Sequence, residues 1–320
     1  QAAIDSVPQN NCKQVQIQVK NGVYREKIRV TSPWISLIGE NPLRTLIAFD
    51  DAAKKPLPGG EPMNTFNSYT IYIGGHDFTA EGLTFENSAG DGRIVGQAVA
   101  VYADADRITF KNCRLLGHQD TLFTGPLPKN PVPKGLNLVH PALGSGDAEY
   151  TGEIRQYYRD CFIRGDIDFI FGSATAVFDH CEIFSNDRGE PVNGYITAGS
   201  TSPRQEFGYV FTDCRLTGAA GPHTVYLGRP WRDFAKAAFI NCSMGEHIIP
   251  AGWDNWDLPE REKTVNYCEF GSTGPGAALA DRVKWSKQLT AEQVKKYAAL
   301  NVLSGSDGWE PDKDADCLKA

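Results

Sequence analysis

Long apolar runs are missing from this sequence of 320 residues, which has no stretch of about 18 hydrophobic residues that would span a membrane as a helix. Clusters of basic residues are missing too. Its 32 Lys and Arg are outnumbered by 39 Asp and Glu, for a net charge of −7. Because a nucleic-acid surface needs concentrated positive charge, we expect no nucleic-acid and no membrane partner. The hydrophobic (41%) and charged (22%) fractions are typical of a globular protein.

Several catalytic and metal-binding patterns are also absent. The chain has no G-x-S-x-G turn of the serine hydrolases, no H-E-x-x-H zinc motif and no C-x-x-C pair among its eight cysteines. Its six histidines are scattered singly, which is more typical of surface or structural residues than of ligands. We therefore expect no metal site.

One short pattern recurs along the chain. An aromatic or apolar residue is followed by a spacer, a polar residue that is usually Asn or Asp, a cysteine, a second spacer and an apolar residue. The cysteines of these copies are Cys113, Cys161, Cys181, Cys214 and Cys242, with a looser sixth copy at Cys268. The gaps between them vary, but each fits one or two coils of a solenoid whose loops differ in length.

The segments around these cysteines alternate apolar and polar residues and are rich in Phe, Val, Ile and Thr, which predicts strands. No helical pattern of 10–15 residues separates them, which argues against a βαβ sheet. The predicted fold is all-β, a parallel β-helix with cysteines stacked as small apolar side chains in a narrow core. We expect one domain over residues 1–320, with the β-helix at about 10–275 and a C-terminal tail and helix at about 276–320.

Two further segments have their own signals. Residues 290–293, Thr-Ala-Glu-Gln, form a capping-box pattern that predicts a C-terminal helix packed outside the β-helix. Residues 124–150 hold five prolines and no periodicity, so they predict a long loop between two coils. Because long loops on a rigid scaffold are often functional, we expect this loop to form one wall of an active cleft.

Two aspartates differ from the surface acids. Asp120 lies in the segment GHQDTLF and Asp168 in GDIDFIFG, and apolar residues follow each at once. A carboxylate against a hydrophobic strand is costly to bury unless it is paired or used in chemistry. The alternative is that both are turn residues, a common role of Asp beside Gly. Their separation of 48 residues fits about two coils, and we expect them to face each other across a cleft.

An arginine and two glutamines supply other parts of a site. Arg229 lies between a glycine and a proline, and its guanidinium is able to hold a carboxylate bidentately. Trp231, two residues on, offers a flat apolar face to a sugar ring. Gln97 opens an apolar strand and Gln119 directly precedes Asp120, so both amides are candidate donors into the site.

These residue types suit the cleavage of an ester, which needs a nucleophile, an acid for the leaving alcohol and donors for the oxyanion. Two carboxylates divide this work when their environments separate their pKa values. We expect Arg229 to lower the pKa of Asp168, which attacks as a carboxylate. We expect a desolvated Asp120 to keep its proton, to donate it to the alcohol and then to activate water.

Five segments resemble the pectin methylesterase (pectinesterase) family and follow one another in the family's order. They are GVYRE at 22–26, QAVAV at 97–101, GHQDTL at 117–122, DFIFG at 168–172 and LGRPW at 227–231. The resemblance spans most of the chain. It implies a right-handed parallel β-helix with short terminal helices packed outside, and hydrolysis of the C6 methyl ester of homogalacturonan to pectate and methanol without a cofactor.

The resemblance also implies roles by position. The family's nucleophile falls on Asp168 and its acid/base on Asp120. Its two oxyanion donors fall on Gln97 and Gln119, and the cation that orients the nucleophile falls on Arg229. The substrate-binding set falls on Thr65, Gln97, Arg229 and Trp231. Some members link two cysteines that match Cys161 and Cys181, twenty residues apart as here, so this pair is a candidate disulfide.

Two departures from the family pattern stand out. His118 takes a position where many plant members have Phe or Tyr. The long loop after Phe123 resembles the microbial members of the family. We expect these two features to affect the lining of the cleft and the methylation patterns that it accepts.

Two other functions remain alternatives. A pectate lyase or polygalacturonase on a similar scaffold would need a calcium cluster with a base, or clustered acids around a glycosidic bond. A non-catalytic carbohydrate-binding β-helix would have lost one of Asp120, Asp168 or Arg229, and all three are present. The first residue is Gln1, and we expect a secreted, extracellular monomer whose signal segment lies outside the given sequence.

Overall fold

The computed structural model describes residues 1–127 and 154–312, and within them the chain forms three sheets whose paired strands are all parallel. Along each sheet the strands follow chain order, so successive coils stack on one another. This is the predicted parallel β-helix. Sheet A consists of Val15–Val19, Ile35–Gly39, Phe78–Glu81, Ile108–Lys111, Arg155–Arg159, Thr175–Asp179, Tyr209–Thr212, Lys236–Ile240, Asn266–Phe270 and Lys287–Gln288.

The other two sheets are built in the same way. Sheet B consists of Gly22–Tyr24, Thr45–Phe49, Thr84–Asn87, Arg114–Leu116, Phe162–Gly165, Glu182–Ser185, Arg215–Gly218 and Ser243–Met244. Sheet C consists of Ile28–Val30, Ile71–Ile73, Val101–Ala103, Leu122–Thr124, Ile170–Gly172, Gly194–Gly199 and Val225–Pro230. Sheet C carries the candidate site.

Helical segments in the described residues are short. The α-helices are Ala2–Asp5, Gly92–Val95, Ala291–Val294 and Ala299–Leu303. The 3-10 helices are Thr65–Asn67, Pro259–Lys263, Leu279–Asp281 and Lys295–Tyr297. In the described part of the chain, no helix is both long and apolar enough to cross a membrane.

Like residues stack above one another in the core. Five aromatic rings of sheet A lie on successive coils with centroids 5.2, 4.7, 4.5 and 4.4 Å apart, at Phe110, Tyr158, Phe178, Phe211 and Phe239. All five side chains are buried. This column explains the aromatic residue that opens each copy of the repeat.

After each of these strands, one residue with a left-handed backbone conformation turns the chain from sheet A towards sheet B. This turn ladder consists of Asn112, Asp160, His180, Asp213 and Asn241, with φ between 47° and 52°. Asn and Asp tolerate this conformation best among residues with a side chain, which explains the polar residue of the repeat. The cysteine that follows each of them is buried in the core, as predicted.

The looser sixth copy was placed wrongly. Cys268 pairs with Ala238 inside sheet A and packs against the outer cluster that contains Tyr297, rather than stacking on Cys242. Gly271, with φ 62°, takes the turn position on this coil instead. A glycine needs no polar side chain to adopt that conformation, so the pattern search selected the wrong residue.

The candidate disulfide is not formed. Cys161 and Cys181 are both buried free thiols on adjacent coils. Each thiol instead lies against a backbone carbonyl of the neighbouring coil, with Cys181 Sγ 3.3 Å from the oxygen of Tyr158 and Cys161 Sγ 3.5 Å from that of Phe110. The other buried cysteines of the ladder are free as well, in agreement with a packing role.

The C-terminal segment packs on the outer face of sheet A. The capping box is present, because Gln293 N donates to Thr290 Oγ1 and Thr290 N donates to Gln293 Oε1. Further on, Leu303 and Trp309 pack against Tyr157. This confirms the expected helix outside the β-helix.

The spacing between the two aspartates was misread. Leu122 pairs directly with Ile170, so Asp120 and Asp168 are one coil apart rather than two. The extra length belongs to the segment that the sequence predicts to be a loop. Most of that segment, residues 128–150, lies outside the described residues, and so does the predicted cleft wall.

Candidate active site

Asp120 and Asp168 occupy matching positions on adjacent coils, each two residues before a strand of sheet C. Both have left-handed backbones, with φ of 65° and 50°. Asp120 N donates to the carbonyl of Ile167, which fixes the two turns to each other at 3.0 Å. Adjacent parallel strands lie about 4.8 Å apart, so the backbones of the two aspartates are close neighbours. They are also buried, at 8% and 7% exposure.

Arg229 holds Asp168 with two hydrogen bonds. Its Nε donates to Oδ1 at 2.8 Å and its Nη2 donates to Oδ2 at 2.7 Å. Arg229 lies on the second coil after Asp168, and the residue paired with it on the coil between them is Ala198. An alanine there leaves room for the guanidinium to reach the carboxylate. The pairing is the bidentate contact that the sequence predicts.

The two carboxyl groups differ in their electrostatics. Burial and the neighbouring Asp168 raise the pKa of Asp120 well above its usual range, and Arg229 offsets this only in part. Burial also raises the pKa of Asp168, although its hydrogen bonds to Arg229 act to lower it. Arg229 therefore acts on the pKa of Asp168 in the expected direction, but desolvation outweighs the cation and the net shift is upward. Asp168 still ionises before Asp120, because only Asp168 bonds directly to the guanidinium.

The two glutamines lie at the edge of this pair. Gln97 and Gln119 are both half-buried, and Ala98 N, next to Gln97, donates to the carbonyl of Gln119 at 3.1 Å. Within the described residues, no side-chain hydrogen bond of either amide is present. A Cβ atom at Gly92 would lie 2.8 Å from Cβ of Gln119, so the glycine makes room for that side chain. Gln97 therefore lies on the coil next to Gln119, the residue before Asp120, and both amides remain available as donors.

Thr65 and Trp231 border an outer aromatic cluster on sheet C. The cluster consists of Phe66, Tyr69, Tyr72, Val99, Tyr102, Phe123, Phe171 and Ala198. Thr65 precedes Phe66 in a short 3-10 helix, and the half-buried Trp231 packs on Phe171 with centroids 5.9 Å apart. The cluster therefore connects these two of the four predicted substrate-binding residues to the strands that follow Asp120 and Asp168.

Several residues of the site were missed by sequence reasoning. Trp256 and Tyr195 lie against the guanidinium of Arg229, each ring centroid 3.8 Å from its Cζ atom. Oδ2 of the buried Asp166 lies 3.0 Å from Nδ1 of His118, and the Asp166 carboxylate adds negative charge near Asp120. The segment GWDNW at 252–256, with two tryptophans among polar residues, was the available signal for Trp256. Asp166 lies in the segment GDIDFIFG, two residues before Asp168, which was its signal. Tyr195 had none, because only the register of the coils brings it to the site.

A group of possible metal ligands lies elsewhere, at the turn from sheet A to sheet B. The ligand atoms of Asp179, His180 and Asp213 lie within 4.8 Å of one another. Asp179 already accepts one hydrogen bond from the hydroxyl of Tyr157 and contacts His180 Nδ1 at 2.6 Å. The group is a polar surface turn and plays no part in the site at Asp120 and Asp168.

A buried carboxyl pair, an arginine bonded to one member and two amides without side-chain partners among the described residues suit the class of carboxylic ester hydrolases. The sequence profile of the pectinesterase family matches residues 1–127 and 141–306. Pectinesterase 31 of Arabidopsis thaliana is 35% identical over 304 residues, which cover 93% of this chain and 85% of that protein.

Solved structures give the same result. The pectin methylesterase from Yersinia enterocolitica superposes with a TM-score of 0.77 at 32% identity, covering 95% of this chain and 98% of that one. The pectin methylesterase from carrot superposes with a TM-score of 0.76 at 30% identity, covering 96% and 89%. The chain belongs to the pectinesterase family and is a carboxylic ester hydrolase of that kind.

Proposed function

We propose that the protein hydrolyses the C6 methyl ester of homogalacturonan to pectate and methanol, with Asp168 as nucleophile and Asp120 as acid/base. One observation carries the assignment of roles. Of two buried carboxyl groups on adjacent coils, one is held bidentately by Arg229 and the other has its pKa raised well above the usual range. The first suits attack as an anion, and the second suits donation of a proton.

In the first half-reaction, a carboxylate oxygen of Asp168 bonds to the ester carbonyl carbon, and the carbonyl oxygen becomes an oxyanion. The amides of Gln97 and Gln119 donate to that oxyanion. The carbon–oxygen bond to the methoxy group then breaks while Asp120 gives up its proton, so methanol leaves. The product is an anhydride between Asp168 and the galacturonate.

In the second half-reaction, Asp120 is a carboxylate and takes a proton from water. The water oxygen attacks the galacturonyl carbon of the anhydride, and the bond to Asp168 breaks. Asp168 regains its charge beside Arg229, and Asp120 regains its proton. No metal or cofactor is needed to balance these steps.

The polymer is proposed to lie along sheet C, over Thr65, Gln97, Arg229 and Trp231. The indole of Trp231 is half-buried, so one part of it remains accessible to a sugar ring. Three further proposals accompany this function: the chain acts as a single domain, as a monomer, and outside the cell.

Product analysis of the wild-type protein tests this function against its alternatives. Esterified pectin should yield methanol at the rate at which carboxylate appears, with no growth of unsaturated or reducing ends. Unsaturated ends would identify a lyase, and new reducing ends a glycosidase. Binding without any product would identify a non-catalytic β-helix, and each of these three results would overturn the proposal.

A further inference from the structure

The guanidinium of Arg229 is in contact with more than its carboxylate partner. Its Cζ atom lies 3.8 Å from the ring centroid of Tyr195 and 3.8 Å from that of Trp256. Two rings do not share one face of a planar group at this distance, so one ring covers each face. Such contacts are attractive within about 6 Å and strengthen when the cation is shielded from water.

Both rings are fixed by backbone that belongs to the same few coils. Tyr195 pairs with Tyr226 on the next coil, and their rings stack at 5.4 Å and 8°. Trp256 follows a turn in which its own N donates to Asp254 Oδ1 at 2.7 Å. Asp254 N donates in turn to the carbonyl of Gly228, the residue before Arg229, at 3.1 Å. The rings and the cation are therefore anchored to adjoining backbone.

Both faces of the Tyr195 ring are covered, so neither is open to stack on a sugar ring of the substrate. Asp168 lies on the coil before Tyr195 and Tyr226 on the coil after it, as the strand register shows. Arg229 reaches back towards Asp168, so its guanidinium covers one face of the Tyr195 ring while Tyr226 covers the other. Stacking on the substrate does not explain this residue.

We propose that Tyr195 and Trp256 are positioning residues that hold the guanidinium of Arg229 between their rings. In this orientation the guanidinium binds both oxygens of Asp168 and aligns the attacking carboxylate. This inference rests on the proposed function, which makes Asp168 the nucleophile. An arginine side chain has several rotatable bonds, and a bidentate contact survives only when its fork stays oriented. The two rings remove the rotation that would break one of the two hydrogen bonds.

The direct test replaces the rings by Leu and compares each variant with one that keeps a ring. Tyr195→Leu and Trp256→Leu should each lower kcat on esterified pectin about tenfold, a change equivalent to about 1.4 kcal/mol. The KM of Tyr195→Leu should change less than about twofold, because both faces of that ring are covered and none is open to the polymer. Tyr195→Phe and Trp256→Phe keep an aromatic face and should recover most of the wild-type kcat.

The pH profile gives a second readout that a purely structural role would not move. Arg229 favours the charged form of Asp168, so a loosened guanidinium raises the pKa of Asp168. The acid limb of kcat/KM should then move to higher pH in the Leu variants, by up to about one pH unit, and return in the Phe variants. Circular dichroism and thermal unfolding show whether each variant is folded. If one Leu variant is unfolded, the variant of the other ring carries the test.

A double-mutant cycle with Arg229→Lys isolates the contact. Lys has no planar fork to orient, so Tyr195→Leu should cost far less kcat in that background than in the wild type. Equal losses in both backgrounds, or a change in KM alone with an unmoved acid limb, would overturn this positioning role. Failure of Asp168→Asn to lose activity would instead overturn the proposed function, so the two failures are distinguishable.

Discussion

Left-handed Asp residues occur in the turn ladder and at the candidate site of this β-helix, and the surroundings of the two groups differ. Asp213 in the turn ladder has φ 52° and Asp168 has φ 50°. Asp213 is exposed, and its side chain lies at a surface turn. Asp168 is 7% exposed and bonded to Arg229. The conformation explains why an Asp is acceptable at both turns, and burial together with a cation distinguishes Asp168, the proposed nucleophile.

The same comparison applies across the coils. The turn ladder repeats on five coils and keeps every polar side chain in solvent, so it carries little electrostatic cost. Asp120 and Asp168 repeat on only two coils, where two buried charges would be costly. That cost is reduced in two ways, because Asp168 gains a cation and Asp120 keeps its proton. This difference supports the proposed roles of Asp120 as acid and Asp168 as nucleophile.

The largest expected effect comes from replacing Asp by Asn at the candidate site, with the same replacement at the turn ladder as a control. Asp168→Asn should lower methanol release from esterified pectin by at least about 1,000-fold, because a neutral amide does not attack the ester. Asp213→Asn should leave kcat and KM within about twofold of the wild type, since a surface turn carries no chemistry. The measurement is methanol release by the folded proteins.

Two outcomes would break this comparison. Near wild-type turnover by Asp168→Asn would show that the nucleophile is misassigned. A large loss in Asp213→Asn, with the fold intact by circular dichroism, would show that the turn ladder influences the site.

Asp120→Asn should be the next most severe change. Methoxide is a poor leaving group, so loss of the proton donor should reduce methanol release about 10²- to 10⁴-fold. An aryl ester of galacturonan needs no proton to leave. It should therefore give a fast burst of phenol followed by slow turnover, because water still lacks its base.

The burst is the informative part of that experiment. Its amplitude should approach one equivalent per enzyme, and Asp168→Asn should show none. Absence of a burst in Asp120→Asn, with the wild type active on the same ester, would mean that Asp120 is needed for attack itself and does not act only as acid and base.

The pH dependence should show the order in which the two groups ionise. Attack requires that Asp168 has lost its proton, so kcat/KM should fall as pH drops through the pKa of Asp168. Proton donation requires that Asp120 keeps its proton, so kcat/KM should also fall as pH rises through the higher pKa of Asp120. Each limb should approach a tenfold change per pH unit. A profile with no alkaline limb would contradict a protonated Asp120.

Sequence patterns were sufficient for the repeating part of the molecule. The polar residue and cysteine of each copy reflect a local turn and an inward side chain, so five of six copies were read correctly. Contacts between coils depend instead on how many residues each loop adds. The spacing of 48 residues was therefore misread, and Tyr195 was missed although it lies beside Arg229. The net pKa of Asp168 was also missed, because it depends on burial that no local pattern encodes.

The smallest expected effect is on stability at the turn ladder. Asn241 has φ 52° and its backbone N donates to the carbonyl of Phe270 at 2.7 Å, so it fixes one coil to the next. Ala at this position loses the tolerance of Asn for the left-handed region and should reduce the free energy of unfolding by about 1 kcal/mol. Gly adopts that region freely and should come close to the wild-type value, apart from its larger chain entropy when unfolded. Urea unfolding of both variants measures the difference, and kcat should be unchanged in each. Equal losses for Ala and Gly would show that the Asn side chain, and not its backbone conformation, supports the turn.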